Sequence, residues 1–276
     1  MVEAALRATG PYSLKLTAGA DTWRSRLPEG RWAEARQLSD GTVLVRASCE
    51  RAVEEARFVL ALDDDTSEFH RRFARDPLLG PAVLTLRGLR PRRKATVAHA
   101  TLRAVCGQLI QSGRAREIER SVIRAAGEDP PSREALARLS PAALTGCGLA
   151  ASRAATLTRL SREIDLEALK TSPETALARL ARERGIGPWS VGVIALQGLG
   201  RYDAGLVADL ALVKLYASLR GRWPERPAET AELLEPYGEW QGLASVFLLA
   251  GFAKGLVPGA SADRARLVRS SHRPAA

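Results

Sequence analysis

Between residues 10 and 65 the apolar and polar positions fall in short runs. Tyr12-Ser13-Leu14-Lys15-Leu16 alternates as a strand would, and Thr42-Val43-Leu44-Val45-Arg46 and Arg57-Phe58-Val59-Leu60-Ala61-Leu62 are further strand candidates. Asp40-Gly41 marks a turn between elements, and residues 1–10 read as a loose terminus. The expected unit is a small, mostly antiparallel sheet. From Thr96 nearly to the end the period becomes helical. Leu177, Leu180 and Ala181 recur on one face, as do Val191, Ile194, Ala195 and Leu199, then Leu212, Val213, Tyr216 and Leu219. The predicted fold is α+β: an N-terminal β-rich domain (1–80), a mostly α-helical domain (81–261) and a basic, disordered tail (262–276).

The helical part is punctuated by capping residues. Ser132, Ser140-Pro141 and Ser172-Pro173 each suit a helix start. Gly185 is placed to end the helix that begins at Pro173, and Pro188 to open the next, so Gly185-Ile186-Gly187-Pro188-Trp189-Ser190 reads as a tight hairpin between two helices. The backbone of such a turn lies bare, and its N–H groups stand at a helix N-terminus, which favours an anion such as a nucleic-acid phosphate. An ordinary helix-turn-helix corner has the same pattern. Asp209 then opens the helix that carries Leu212 and Tyr216, either as its N-cap or as a carboxylate held for chemistry, two roles that are compatible.

Charge favours a polyanionic partner. The net charge is +10, and it is uneven: residues 1–80 carry 12 basic and 13 acidic side chains, residues 81–276 carry 29 and 18. The densest basic run, Arg87, Arg90, Arg92, Arg93 and Lys94, suits either a DNA backbone or a solvated linker. Asp63-Asp64-Asp65 reads as a solvated turn or helix cap, not a metal site. Cys49, Cys106 and Cys147 are too few and too far apart for a disulfide framework or metal spacing, and His70, His99 and His272 are equally scattered. A reduced, cytoplasmic setting fits. No signal-peptide pattern stands at the N-terminus, and no apolar run approaches the ~20 residues of a membrane span.

Gly-Ile-Gly-Pro-Trp-Ser followed by Asp209 resembles the helix-hairpin-helix DNA glycosylases, and among them the alkylation-repair branch, DNA-3-methyladenine glycosylase II. The resemblance extends to Gly107-Gln108-Leu109-Ile110 and to Tyr237-Gly238-Glu239-Trp240, where Gln241-Gly242 replaces the usual Arg-Ser. It implies a monomer that excises alkylated, 3-methyladenine-type purines from double-stranded DNA; the alternatives are a non-catalytic helix-hairpin-helix DNA-binding protein and a glycosylase for hypoxanthine or oxidised purines. Asp209 would be the catalytic carboxylate, and Trp189 and Trp240 the walls of a base pocket. Leu109 would be the wedge in the duplex, and Gln108, Gly185, Ile186, Gly187 and Ser190 its DNA-side neighbours. Bifunctional relatives carry a lysine where this chain has Trp189, which implies hydrolysis without strand cleavage. Gly205-Leu206 replaces a usual Phe-Pro before the aspartate, and Val193 stands where some members have a pocket tyrosine. No cofactor is expected beyond a monovalent cation bridging hairpin carbonyls and a phosphate. An iron–sulfur cluster is excluded, because no cysteine follows Cys147.

Overall fold

The computed structural model describes residues 1–108 and 110–271. Its N-terminal part is a four-stranded antiparallel sheet in the order β1-β4-β3-β2, made of β1 (Val2–Leu6), β2 (Thr22–Arg26), β3 (Trp32–Gln37) and β4 (Val43–Ala47). Residues 1–10 are therefore not a loose end: β1 pairs along β4 from Val2 opposite Ala47 to Leu6 opposite Val43. Two expected strands are helices instead. Ser13 accepts the Leu16 N–H through its hydroxyl and starts α1 (Leu14–Ala18), which Gly19 ends at φ +81°. The run at Arg57 belongs to α2 (Glu50–Val59), whose buried Ala52, Val53, Ala56 and Val59 have helical spacing and cover the sheet. The apolar stripe begins before the alternating segment, so helical periodicity prevails.

Then follow α3 (Ser67–Phe73), α4 (Gly80–Thr85), α5 (Val97–Gly107), α6 (Ser112–Ala126), α7 (Arg133–Arg138), α8 (Pro141–Gly146), α9 (Ala151–Glu163) and α10 (Pro173–Ala181). The last are α11 (Pro188–Ile194, continued by a π-helical turn, Ala195–Leu199), α12 (Leu210–Arg220), α13 (Gln241–Ala253) and α14 (Ala262–Ser271). Ser132 and Ser140 cap α7 and α8 as expected, whereas the Ser172 side chain makes no capping bond. The expected disordered tail is helical to Ser271, with Ala265 buried.

Three apolar clusters organise the chain, and they divide it differently from a boundary at residue 80. The sheet, α1 and α2 form one. Helices α5 to α11 form the second. The third joins α3 and α4 to α12 and α13, through Phe69, Phe73 and Val83 against Tyr216, Leu243 and Phe247. The basic run fastens these parts together. Arg90 is 1% exposed, and its guanidinium donates to the carbonyls of Ala61, Thr9 and Pro11. Arg93 donates to the Asp64 carboxylate and the Gly200 carbonyl, and Tyr202 donates to the same carboxylate. Neither arginine is a DNA contact, and Asp64 is no solvated turn residue. A buried guanidinium needs several acceptors, and here three segments of chain supply them.

Candidate functional site

The hairpin forms where it was expected. Pro188 is the first residue of α11, and Gly185 takes φ +85°. Ile186 is buried in the core of α5 to α11 and anchors the turn. Gly187 is different: it is exposed, has φ −95°, and a methyl built on it would meet nothing within 4 Å. The protein does not itself require a glycine there, so the bare backbone faces outward. The N–H groups of Gly187, Trp189 and Ser190 have no backbone acceptor among the described residues, as first-turn donors of a helix generally do not.

Three side chains placed at the DNA face by sequence serve the protein interior or lie outside the described residues. Ile186 is core. Ser190 is 1% exposed, and its hydroxyl accepts from Gln108 Nε2 at 2.9 Å. Leu109 lies outside the described residues. Gln108 also donates to the Gly185 carbonyl at 2.8 Å, so it pins the hairpin to the end of α5. The carbonyls of Glu183, Arg184, Gly185 and Gly187 each already accept a hydrogen bond, that of Arg184 from the Arg159 guanidinium. Each of these oxygens keeps a second lone pair, the capacity that the expected monovalent cation would use.

The structure brings Trp189 and Asp209 together. The indole Nε1–H of Trp189 donates to Asp209 Oδ2 at 2.9 Å across twenty residues of chain. Asp209 is also the N-cap of α12, its Oδ1 accepting the Ala211 N–H at 2.8 Å. Both carboxylate oxygens are thus fixed by donors, each keeps lone-pair capacity, and the group remains partly exposed. The ring of Trp189 lies against Gly107, where a methyl would fall 2.4 Å from Cη2.

Glycines also admit the loop that carries the aspartate. A methyl on Gly192, one turn after Trp189, would be 2.4 Å from the Gly205 carbonyl oxygen. On the other side, a methyl on Gly242 would be 2.8 Å from the carbonyl oxygens of Tyr202 and Ala204. The loop before Asp209 is therefore held between α11 and α13 at backbone contact distance. Leu206 packs against both helical clusters, which places the loop at their seam. Trp240 lies on the α13 side, stacked on Tyr202 at 5.9 Å and 25° and tilted against Phe69. Its Nε1–H is buried with no acceptor among the described residues. The two tryptophans thus belong to different clusters, and only Trp189 is bonded to the carboxylate.

The sequence motifs include Gly107, Gly205 and Gly242 but assign them no packing role, and Gly192 stands outside every motif. Gly107 directly precedes Gln108, and the others flank Val193, Leu206 and Gln241, positions already singled out, so their proximity in the chain was the available signal.

No protein-family model matches the chain. The DNA-3-methyladenine glycosylase of Bacillus subtilis (strain 168) is 27% identical over 205 residues, 68% of this chain and 67% of that protein. Among solved structures, the 3-methyladenine DNA glycosylase of Archaeoglobus fulgidus shares the fold with a TM-score of 0.77 at 19% identity, over 91% of this chain and 98% of that one. The 8-oxoguanine glycosylase/lyase of Clostridium acetobutylicum, solved with double-stranded DNA, gives 0.69 at 18% identity, over 92% and 99%. With its hairpin, its hairpin-bonded aspartate and this sequence relative, the chain is similar to the helix-hairpin-helix DNA glycosylases and has the fold of the solved glycosylase structures.

Proposed function

We propose that this protein is a monofunctional DNA glycosylase that hydrolyses the N-glycosidic bond of alkylated, 3-methyladenine-type purines in duplex DNA. One observation carries the reading: the 2.9 Å bond that ties Asp209 to the tryptophan of the hairpin. A hairpin that offers bare backbone to a phosphate and a carboxylate fixed beside it form a unit suited to a nucleotide turned out of the duplex.

Breaking a glycosidic bond passes through an oxocarbenium-like sugar. An N3-alkylated purine is already cationic and leaves readily, so one carboxylate suffices. Asp209 stabilises the positive charge that develops on the sugar and orients the attacking water. Position 189 holds an indole where a lyase needs an amine, so no Schiff base forms with the sugar there. A cationic base against an indole face gains about 0.5–2 kcal/mol, which favours methylated over normal purines. The 27% identical Bacillus subtilis protein supports the same substrate class.

The test is base release from duplexes containing 3-methyladenine, 7-methylguanine or hypoxanthine, with wild type and Asp209→Asn compared. Free base, with strand breakage only after alkali and loss of at least 10³-fold in the variant, is the expected result. Asparagine caps a helix as well as aspartate does, so folding is expected to survive. Strand cleavage without alkali would refute the monofunctional reading, and DNA binding without release of any base would refute the enzyme.

A further inference from the structure

The chain enters Asp209 through an unfavourable backbone. Leu206, Val207, Ala208 and Asp209 form a turn closed by the Asp209 N–H donating to the Leu206 carbonyl at 3.0 Å. Its third residue, Ala208, has φ +68°. Glycine or asparagine ordinarily fills such a position, because a Cβ crowds the following carbonyl. Nothing in the turn's own chemistry holds an alanine there.

Two buried hydroxyls do. Thr230, fully buried in the segment before α13, accepts the Ala208 N–H on Oγ1 at 2.7 Å and donates its own proton to the Pro227 carbonyl at 2.8 Å. Ser245 of α13, also fully buried, accepts the Leu206 N–H at 3.0 Å and donates to the Gln241 carbonyl at 2.7 Å. Each hydroxyl spends its proton on its own element and offers a lone pair to the turn. They grip the N–H groups on either side of Val207, from elements that belong to the cluster opposite Trp189.

We propose that Thr230 and Ser245 are positioning residues that clamp the Leu206–Asp209 turn and so set the Asp209 carboxylate against the Trp189 indole. The proposal rests on reading Asp209 as the catalytic carboxylate. The clamp touches neither substrate nor reacting atoms. It acts by holding the turn where Oδ2 meets Nε1–H, and its loss lets the turn relax out of the left-handed conformation.

The experiment has two readouts on the full chain. One is the indole ¹H–¹⁵N resonance of Trp189, assigned by its disappearance in Trp189→Phe, which reports the bond to Asp209 without any need for activity. The other is single-turnover base release, set beside the Kd for a duplex carrying a tetrahydrofuran abasic analogue. Thr230→Val keeps the shape and removes the acceptor. It is expected to shift the Trp189 resonance and slow release at least tenfold while Kd stays within twofold, and Thr230→Ser is expected to restore both. Ser245→Ala should act in the same direction, and it decides the matter if Thr230→Val does not fold. Adding Ala208→Gly to Thr230→Val should recover part of the rate, since glycine holds φ +68° unaided. An unmoved resonance, or release and binding lost together, would overturn the proposal. A moved resonance in a protein whose wild type releases none of the bases would leave the clamp standing and refute the glycosylase reading.

Discussion

Gly107→Ala adds a single methyl group, and the structure says where it goes. It would lie 2.4 Å from Trp189 Cη2 and 3.3 Å from Cζ2 and Cζ3. Carbon atoms settle near 3.5–4.0 Å, so the indole must retreat by about 1 Å. Its Nε1–H then no longer reaches Asp209 Oδ2 at 2.9 Å, and the carboxylate loses the donor that fixes it toward the hairpin. A displacement of about 1 Å at a reacting group costs on the order of 10²-fold in rate, or about 2.7 kcal/mol of transition-state stabilisation. Stability changes less. Overpacking costs about 1–3 kcal/mol, and replacing glycine by alanine at the end of α5 returns up to about 1 kcal/mol. Single-turnover base release measured beside urea denaturation separates the two, with a hundredfold slower release expected in a protein destabilised by no more than about 2 kcal/mol. Release within twofold of wild type would refute the reasoning, because the indole position would then not govern the carboxylate.

Trp189→Phe keeps the apolar ring and deletes the donor. A hydrogen bond to a charged group is worth about 1.5–3 kcal/mol, so release should fall roughly 10- to 100-fold while affinity for abasic-analogue DNA changes little. Gly185→Ala places a Cβ at φ +85° and 2.4 Å from Thr156 Oγ1; it should lower the melting temperature and, by deforming the hairpin, weaken DNA binding in fluorescence anisotropy. Acid should also weaken the fold. Burial holds the imidazoles of His70 and His99 below the usual value of 6.5, with the positive charges of Arg87 and Lys94 acting in the same direction. Well above pH 6.5, from about pH 7.5, both are essentially neutral in folded and unfolded chains, and stability is at its full value. As pH falls below that value the unfolded chain takes up protons first, so the urea midpoint should drop between pH 7.5 and 5.5, and His99→Gln should flatten the slope.

Much of the helical part could be read from local chemistry. Pro188 sets the first turn of α11 and Gly185 accepts φ +85°, both consequences of a single residue's covalent geometry. Asp209 caps α12 because a short carboxylate can reach an N–H two residues on. The same reasoning failed at Arg57–Leu62, where β-branched and aromatic residues suggested a strand. The face of α2 that packs on the sheet begins at Ala52, outside that window, and burial decided the outcome. It failed differently at Arg90 and Arg93. A basic run has the same sequence pattern whether it meets phosphates or carbonyls, and here Ala61, Thr9, Pro11 and Asp64 converge on it from distant parts of the chain.

The sequence by itself determined the hairpin, the helix that follows it and the position of an aspartate at the start of another, because turns and caps depend on neighbours a few residues away. Only the tertiary structure decided that Trp189 donates to Asp209, that Ser190 faces inward to Gln108, and that Trp240 belongs to the opposite cluster. It also decided that Gly107, Gly192 and Gly242 are glycines for lack of room. These contacts join residues tens of positions apart, and their distances depend on how closely two packed clusters approach, which no local pattern encodes.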